Sequence, residues 1–564
     1  MLAREEVAVL VAGAGAGAPH ALLVDGAARV LSGADLLAAV RQVEERTRPR
    51  WVWWSARRDA SSVVAAGVRP ARAWDVAEAH RLLHGGMDAS PALAWAAAKG
   101  LPADTVPTPP SGDLFDLVDV PDLPADEVLV DTAGHLRADH ERWLEDPAHL
   151  TAWAAAALDA ARAQLELAPT LSARLPATVA SESAAAMLCL ELERDGLPLD
   201  RRRTEELVTA AAGPRAPDPA AEARARRERD ETVLQHVSGA RVDLRNPADV
   251  KQMLASVGVD VPSTRKWVLE AYRGVHPVVG ALLDWRRDER IATTYGYRWL
   301  DAHVGPDDRL RGAWTACDGA AGRMTAENGL HNLPAMLRPG VAAHPGHVFV
   351  RADLGQVEPR VLAVVAQDPA FAAATRADDL YSPVAERLGV DRPVAKVAVL
   401  AAMYGQRSGA AGEALRGLEA AYPVAMRLLD EAYELGRWGR PLRTYGGRLV
   451  PTGRFLAGRP VGSDPALDAA RGRFARNAVI QGSAAELFKA WAATVRATTA
   501  DLGASIVLCL HDELLLHVPS AAASEAARRV DTALGDAARR WSAGAPVRFV
   551  ADTQVVARWS DAKD

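Results

Sequence analysis

Two apolar runs near the C-terminus flank a short polar segment. Ile506–Leu510 and Leu514–Val518 are almost entirely aliphatic, and His511, Asp512 and Glu513 separate them. Apolar runs of this length around a polar tip predict the two strands of a β-hairpin. Adjacent carboxylates between apolar flanks need a cation or solvent to balance their charge. The tip is therefore either a solvent-exposed turn or one half of a metal site.

A second predicted strand also ends in an acid. Val348–Asp353 has the pattern of a strand, and Leu354–Arg360 turns into a helix, because Pro359 is tolerated in a first helical turn. If this strand neighbours the hairpin, Asp353 and Asp512 converge on one point. Two aspartates that hold a pair of Mg²⁺ ions are the arrangement that assists phosphoryl transfer. Two unrelated surface aspartates would have the same spacing in sequence, so that alternative stays open here.

A cationic helix is predicted between these two acids. Its first residue is Arg392, and Gly405 is a plausible stop. Arg392, Lys396, Leu400 and Tyr404 are four residues apart and therefore lie along one face. Two cations, an apolar side chain and an aromatic ring in this order suit a nucleoside triphosphate, with its phosphates against the cations and its base near the ring. An ordinary buried helix with two charges at its solvent end is the alternative.

The remaining pattern divides the chain into three parts. Residues 1 to about 170 alternate short strands and helices. From Ser181 the pattern becomes helical, with long amphipathic helices predicted over Val268–Val278 and Val279–Val304. From Arg309 strands return without a regular alternation of strand and helix, which predicts an α+β domain.

Composition narrows the function classes. The chain has 564 residues, 49% hydrophobic and 24% charged, which predicts a globular protein of several domains. Its net charge of −6 excludes a nucleic-acid binder that is basic throughout, although a local basic surface is still possible. The three cysteines are far apart and lack metal-ligand spacing, and no run reaches transmembrane length or has the features of a signal peptide. We therefore expect a cytoplasmic protein.

Five motifs in the right order resemble those of the bacterial family A DNA polymerases, the polymerase I type, over roughly Ser181 to Asp564. They are the segments Gly322–Pro334 and Asp353–Arg360, the helix Arg392…Lys396…Tyr404-Gly405, the helix Arg473…Asn477…Gln481-Gly482, and the tip His511-Asp512-Glu513. Trp559–Lys563 also fits the family's C-terminus. Together the motifs make a metal site at Asp512 and a nucleotide helix at Arg392 the favoured interpretations.

The resemblance implies a multidomain α+β fold, in which an RNase H-like α/β domain precedes a right-hand polymerase. The expected domains are a degenerate 3′–5′ exonuclease-like domain over residues 1–175, a helical thumb over 176–310, a palm over 311–370 and 460–564, and fingers over 371–459. The implied activity is DNA-templated addition of dNTPs to a primer 3′-hydroxyl, in repair or gap filling. The implied partners are primer–template DNA and dNTPs, with no membrane, and the chain is expected to be a monomer.

The resemblance also implies roles for single residues. Asp353 and Asp512 would hold two Mg²⁺ ions, with Glu513 and Lys396 completing the catalytic group. The implied nucleotide-binding residues are Arg392, Lys396, Leu400, Tyr404, Gln356, Glu358 and Tyr381. The implied DNA-binding residues are Arg323, Arg360, Arg473, Asn477, Gln481 and His511.

The chain departs from the family pattern at several of these positions. Leu400 stands where the family has Phe or Tyr, and Tyr381 stands where it has a histidine that meets the triphosphate. Leu354 and Gly355 replace Tyr and Ser. The stretch between Arg323 and Asn332 is one residue short. None of these changes removes a predicted metal ligand, but the discrimination of dideoxynucleotides is placed in doubt.

The N-terminal third resembles the exonuclease domain only faintly. No early strand carries the Asp-x-Glu motif that an active domain needs, and Ser55…Asp59 stands where Asn…Asp is expected. Trp153 and Ala157 occupy the places of a Tyr-x-x-x-Asp motif. We therefore expect an inactive exonuclease-like domain and no 5′-nuclease domain. Residual exonuclease activity and a non-catalytic DNA-binding scaffold stay as alternatives, whereas Glu358 argues against an RNA polymerase.

Overall fold

A computed structural model describes residues 6–107, 125–238, 242–405, 411–454, 459–510 and 512–562. The chain divides into two compact units. Unit 1 comprises Met1–Asp195, Ala313–Thr325 and Val350–Val555, and unit 2 comprises Gly196–Gly312, Ala326–Phe349 and Val556–Asp564. Every described residue proposed above for the catalytic, nucleotide or DNA site belongs to unit 1.

The N-terminal part of unit 1 is built on a five-stranded mixed sheet with the order β3-β2-β1-β4-β5. Its elements are β1 (Val7–Ala12), β2 (His20–Val24), β3 (Ala27–Leu31), α1 (Gly33–Thr47), β4 (Arg50–Trp53), α2 (Ala56–Asp59), α3 (Ser61–Ala65), β5 (Arg72–Asp75), α4 (Val76–His84), α5 (Pro91–Lys99), α6 (His140–Trp143), α7 (Leu150–Leu171) and α8 (Leu175–Asp195). The central strand β1 pairs antiparallel with β2 and parallel with β4. Such a sheet, with helices on its faces, agrees with the predicted RNase H-like α/β domain.

The sequence of β1 explains why it is central. Val9 and Val11 belong to one hydrophobic core, and Ala8 and Leu10 belong to another. Because alternate residues of a strand point to opposite faces, both faces of β1 are covered. An acidic side chain on either face of β1 would therefore be buried in a hydrophobic core.

Helix α8 corrects one expectation. It is long and apolar enough to cross a membrane by length and composition, although no such run was expected, and 72% of its apolar window is buried inside the protein. It groups with unit 1, and the expected start of the thumb at residue 176 lies in its first turn. Helix α8 packs against β5 in the N-terminal sheet and carries buried Glu182 and Glu191, which pair with Lys489 and Arg496.

Unit 2 is mainly helical in the part of it that is described. Its elements are β6 (Leu197–Pro198), α9 (Arg201–Ala212), α10 (Pro219–Leu234), α11 (Pro247–Ser256), α12 (Lys266–Glu270), α13 (Pro277–Thr294), α14 (Tyr297–His303) and β7 (Arg309–Leu310). Two long helices were expected after Val268, but the first is the short α12 and the second is divided into α13 and α14. Gly296 separates α13 from α14, and Pro277 occupies the first turn of α13, where proline is tolerated.

The C-terminal part of unit 1 holds a four-stranded sheet with the order β13-β14-β10-β15. The elements after unit 2 are β8 (Trp314–Asp318), β9 (Arg323–Ala326), β10 (His347–Leu354), α15 (Val357–Ala366), α16 (Pro369–Ala374), α17 (Tyr381–Leu388), α18 (Arg392–Tyr404), α19 (Ala411–Ala421), α20 (Pro423–Arg437), β11 (Leu442–Arg443), β12 (Leu449–Val450), α21 (Pro465–Thr498), β13 (Ser505–Leu510), β14 (Glu513–Pro519), α22 (Ala523–Trp541) and β15 (Ala551–Val556). The predicted hairpin is therefore confirmed as β13 and β14, and β10 is its neighbour.

Candidate active site

The two predicted acidic strand ends lie side by side. Strands β14 and β10 are hydrogen-bonded neighbours, and the Leu354 amide donates to the Asp512 carbonyl at 2.8 Å. Asp353 lies one residue before Leu354, within β10. Glu513 pairs with Leu510 across the hairpin, so it begins β14 and does not lie in the turn. His511 lies outside the described residues.

A buried arginine links two carboxylates of this group. Arg351, only 4% exposed, contacts the Asp353 carboxylate through Nη2 and the Glu513 carboxylate through Nε, each at 2.9 Å. The sequence analysis missed this role. The available signal was a single charge inside an apolar strand, two residues before Asp353 and hence on the same face of β10. Arg351 therefore fixes the directions of Asp353 and Glu513.

The electrostatics of Asp512 favour a cation. Burial and the neighbouring charge of Glu513 raise the pKa of Asp512 to about 6, and Glu358 adds to this while Arg323 opposes it. A raised carboxyl pKa means that the ionised form lacks compensating positive charge. Carboxylate oxygens are hard ligands of the kind that Mg²⁺ prefers. Asp353 and Asp512 are thus a donor set that fits a divalent ion.

A small cavity of about 80 Å³ opens beside Asp512, lined also by Arg323, Glu358 and Gln481. Glu358 is held from two sides, by Arg323 Nη2 at 3.0 Å and by the Tyr404 hydroxyl, which donates at 3.2 Å. The Tyr404 hydroxyl also interacts with the Gln481 side chain. Four predicted site residues from β9, α15, α18 and α21 are therefore brought together next to Asp512.

Helix α18 has the predicted two-sided character. Arg392, Lys396 and Tyr404 are exposed, and Leu400 is partly buried. The opposite side is buried through Ala395, Ala398, Val399, Ala401, Ala402 and Met403. Gly405 ends the helix in the left-handed conformation, as the sequence predicts.

The first cation of α18 has a protein partner. Arg392 forms a two-pronged ion pair with Asp379, at 2.6 Å from Nε and 3.0 Å from Nη2. Its guanidinium also lies 5.7 Å from the centre of the Tyr381 ring. Tyr381 is only 5% exposed, and burial raises the pKa of its hydroxyl to about 12, so the hydroxyl is protonated near neutral pH. Asp379 was not identified from the sequence.

The structure corrects the expectation that Arg360 contacts DNA. Arg360 is fully buried, and its guanidinium donates to backbone carbonyls of Gly355, Thr375, Ala377, Asp378 and Arg548. A group enclosed in this way holds the backbone around the site and is not available to a ligand. Gln356 also helps to hold this backbone, because its side-chain oxygen accepts hydrogen bonds from the Leu380 amide at 3.0 Å and from Arg360 at 3.2 Å.

The predicted duplex-binding residues form the accessible stripe of α21. Arg473 is exposed, and Asn477 and Gln481 are partly buried, whereas their neighbours toward the core are buried. Their spacing of four residues places all three along one side of the helix. This stripe leads to the cavity beside Asp512, which Gln481 lines.

In the N-terminal domain, the acid at one expected exonuclease position is enclosed by the backbone. Asp59 is fully buried and accepts from the amides of Ala12 and Trp54 at 2.9 Å and of Ser55 at 3.2 Å. Nearby space is filled by aromatic rings, since Trp153 lies 4.9 Å from Trp54, measured between ring centres. Asp59 is thus a structural acceptor for three amides.

Glu78, Glu182 and Cys317 form a second group whose ligand atoms lie within 4.8 Å of one another. Each of them already faces a cation: Arg81 pairs with Glu78 at 2.6 Å, Lys489 with Glu182 at 2.6 Å, and Arg448 with Cys317 at 3.1 Å. A metal ion would have to bind beside these three positive charges. The group is therefore a balanced ionic cluster, not a metal site.

Comparison with known proteins agrees with this geometry. The sequence model of the protein family "DNA polymerase family A" matches residues 220–561. DNA polymerase I of Chloroflexus aurantiacus is 30% identical over 46% of this chain and 30% of its own length. DNA polymerase I of Deinococcus radiodurans is 26% identical over 51% of this chain and 34% of its own length. The chain thus spans about a third of the length of these relatives.

A solved structure covers nearly the whole chain. It is the POL domain of Pol1 from M. smegmatis in complex with DNA primer–template and dNTP, with a TM-score of 0.70 and 19% identity. The match covers 99% of this chain and 96% of that one. At this identity the likeness establishes the fold of the chain.

Proposed function

Because the chain belongs to DNA polymerase family A, we propose that it extends a DNA primer along a DNA template with dNTPs. The observation that carries the proposal is that Asp353, near the end of β10, lies next to Asp512, in the turn just before β14. Glu358 and Gln481 line the cavity beside Asp512, and the Tyr404 hydroxyl donates to Glu358. We propose gap filling during repair as the setting of this activity.

Asp353 and Asp512 would hold two Mg²⁺ ions, which when bound offset negative charge at the attacking, transferred and leaving oxygens. The chain's own contribution is orientation. Arg351 holds Asp353 and Glu513 in fixed directions, and the buried backbone contacts of Arg360 keep the following turn in place. A site of this kind needs no reorganisation when charge develops.

The exposed side of α18 supports a nucleotide-binding role. Arg392 and Lys396 would contact the triphosphate, with Arg392 exchanging its partner Asp379 for phosphate oxygens. Glu358, held by Tyr404 and Arg323, would occupy the space of a ribose 2′-hydroxyl and so favour deoxynucleotides. Leu400 would offer the sugar only an apolar contact.

The stripe of α21 and the neighbouring Arg323 support binding of the primer–template duplex. Arg473, Asn477 and Gln481 would lie along the duplex, and His511 stays a predicted contact of the primer end. Since most contacts would go to phosphates and sugars, binding should weaken steeply with salt.

We also propose that the N-terminal domain lacks exonuclease activity. Strand β1 carries no acid, and the Asp59 carboxylate is occupied by three backbone amides. A metal-dependent exonuclease needs open carboxylates at these positions, so the domain would serve as a scaffold.

Primer extension tests both proposals. A labelled primer on a longer template is incubated with dNTPs and Mg²⁺, and Asp512→Asn is compared with Asp536→Asn, a matched change at a partly exposed position of α22. Extension by the wild type and Asp536→Asn but not by Asp512→Asn is expected. Equal extension by all three proteins would reject the assignment of the site. Shortening of a labelled single strand that persists in Asp512→Asn would reject the scaffold proposal.

A further inference from the structure

A buried arginine joins the C-terminal end of α18 to α21, the helix that carries the predicted duplex-binding residues. Arg476 lies on α21 and is 2% exposed. Its Nε donates to the Ala402 carbonyl of α18 at 2.6 Å. Its Nη1 pairs with Asp430 of α20 at 2.6 Å, and the Asp430 side chain is about half exposed. One guanidinium therefore connects three helices.

The contact is made where a helix end favours a cation. Ala402 lies in the last turn of α18, where carbonyl groups lack full helical partners and the helix dipole is negative. The Gly405 amide gives this carbonyl only a long bond of 3.4 Å, whereas the charged Nε of Arg476 comes to 2.6 Å. Charge-assisted bonds of this kind are about twice as strong as neutral ones.

The surroundings of Arg476 are rigid. Helices α20 and α21 approach closely through glycines: a Cβ at Gly436 would lie 2.3 Å from that of Ala475. At the end of α18, Gly405 has a φ of +71° and lies against the side chains of Arg473 and Arg476. Arg476 thus tethers α18 to a fixed pair of helices.

We propose that Arg476 is a positioning residue for the incoming nucleotide; this inference rests on the proposed function. Tyr404 follows Ala402 by two residues and donates to Glu358. Gln481, on the same α21 as Arg476, lines the cavity with Glu358. The tether therefore sets the distance between Tyr404, the exposed side of α18 and the cavity beside Asp512.

Arginine is suited to this task because its planar group donates in two directions at once. Lysine, with a single ammonium on a flexible stem, would keep one of the two contacts at best. Methionine would fill the same space and remove both contacts. It would leave Asp430 half exposed, so no unpaired charge would be buried.

The test measures how the rate of single-nucleotide extension depends on dNTP concentration in the full chain. Arg476→Met should raise the KM for dNTP about tenfold, the effect of losing the charge-assisted contact with Ala402 that holds α18, and Arg476→Lys should fall between it and the wild type. The affinity for a fluorescent primer–template, measured separately, should stay within about twofold, because Arg476 is enclosed and does not contact DNA.

The matched control is Arg471→Met, on the same helix. Arg471 is also fully buried, but it pairs with Asp468 at 2.6 Å and donates to the Arg459 carbonyl, neither of which belongs to α18. It should lower stability while leaving the KM for dNTP unchanged. An equal rise in KM in both variants, or a loss of DNA affinity that accounts for the rise, would overturn the inference.

A second readout does not depend on polymerisation. Amide hydrogen exchange over residues 398–405 should accelerate in Arg476→Met and not in Arg471→Met, since only the former releases the end of α18. If the wild type fails to extend primers, the proposed function is rejected while this measurement still tests the tether. Unchanged exchange in Arg476→Met would reject the tether itself.

Discussion

The ionic cluster between the N-terminal domain and helix α21 gives a prediction about stability. Glu182 on α8 is fully buried, and its Oε2 lies 2.6 Å from Lys489 and 2.7 Å from Arg448. Lys489 is also fully buried and Arg448 nearly so. Although burial alone would raise it, the charges of these two partners hold the pKa of Glu182 below its usual value. We predict that Glu182→Gln is strongly destabilising.

The magnitude follows from what the substitution leaves behind. Glutamine has nearly the volume of glutamate, so no cavity is created, and the cost comes from two cations that lose their counter-charge away from water. Breaking a buried ion pair by removing one partner costs about 3–5 kcal/mol in the free energy of unfolding.

The assay is equilibrium denaturation of the full chain in urea, followed by tryptophan fluorescence. Glu525→Gln is the matched control, because Glu525 also pairs with two arginines but on the exposed surface of α22. The control substitution should leave the urea midpoint of unfolding almost unchanged. If Glu182→Gln lowered the midpoint as little as the control does, the cluster would not stabilise the fold. In Glu182→Gln, replacing Lys489 with methionine should then restore part of the loss, since it removes one unpaired cation.

Three further predictions concern the site and its pH dependence. Asp353→Asn and Asp512→Asn should each lower the rate of primer extension about 10²–10³-fold or more without changing primer–template affinity, measured by rapid quench and anisotropy. Glu358→Ala should raise ribonucleotide use relative to deoxynucleotide use at least about tenfold in competition assays; an unchanged ratio would contradict its proposed role. Burial raises the pKa of Glu486 to about 7 from its usual 4.5, so the folded wild type loses stability as pH rises from 4.5 through 7. Glu486→Gln lacks this loss, and its stability relative to wild type should therefore rise between pH 5 and pH 8 in urea titrations.

The parts of the site that follow from local pattern could be predicted from the sequence. The hairpin around Asp512 and the strand before Asp353 were visible because apolar runs end at polar residues. The exposed side of α18 was visible because a four-residue spacing fixes a helix face. The prediction that Asp353 and Asp512 converge required β10 to lie next to the hairpin, and β10 does pair with β14.

What the sequence did not reveal depends on tertiary packing. Arg360 and Arg473 are both arginines in helical segments, yet one is enclosed by backbone carbonyls and the other is exposed. Nothing local to either residue distinguishes them. Arg351 gave a local signal as a charge inside an apolar strand, but its partner Glu513 is 162 residues away in sequence and could not be identified from that signal.

The boundary of the N-terminal domain shows this dependence on tertiary packing at a larger scale. Hydrophobic pattern and resemblance placed a division near residue 176, but Glu182 reaches Lys489, which lies 307 residues further along the chain. A charge pair buried this completely persists only when both sides are held in place. The N-terminal domain therefore supplies a buried counter-charge to α21, the helix that carries Arg473, Asn477 and Gln481. This contribution is structural, so it does not depend on whether the domain has a catalytic activity of its own.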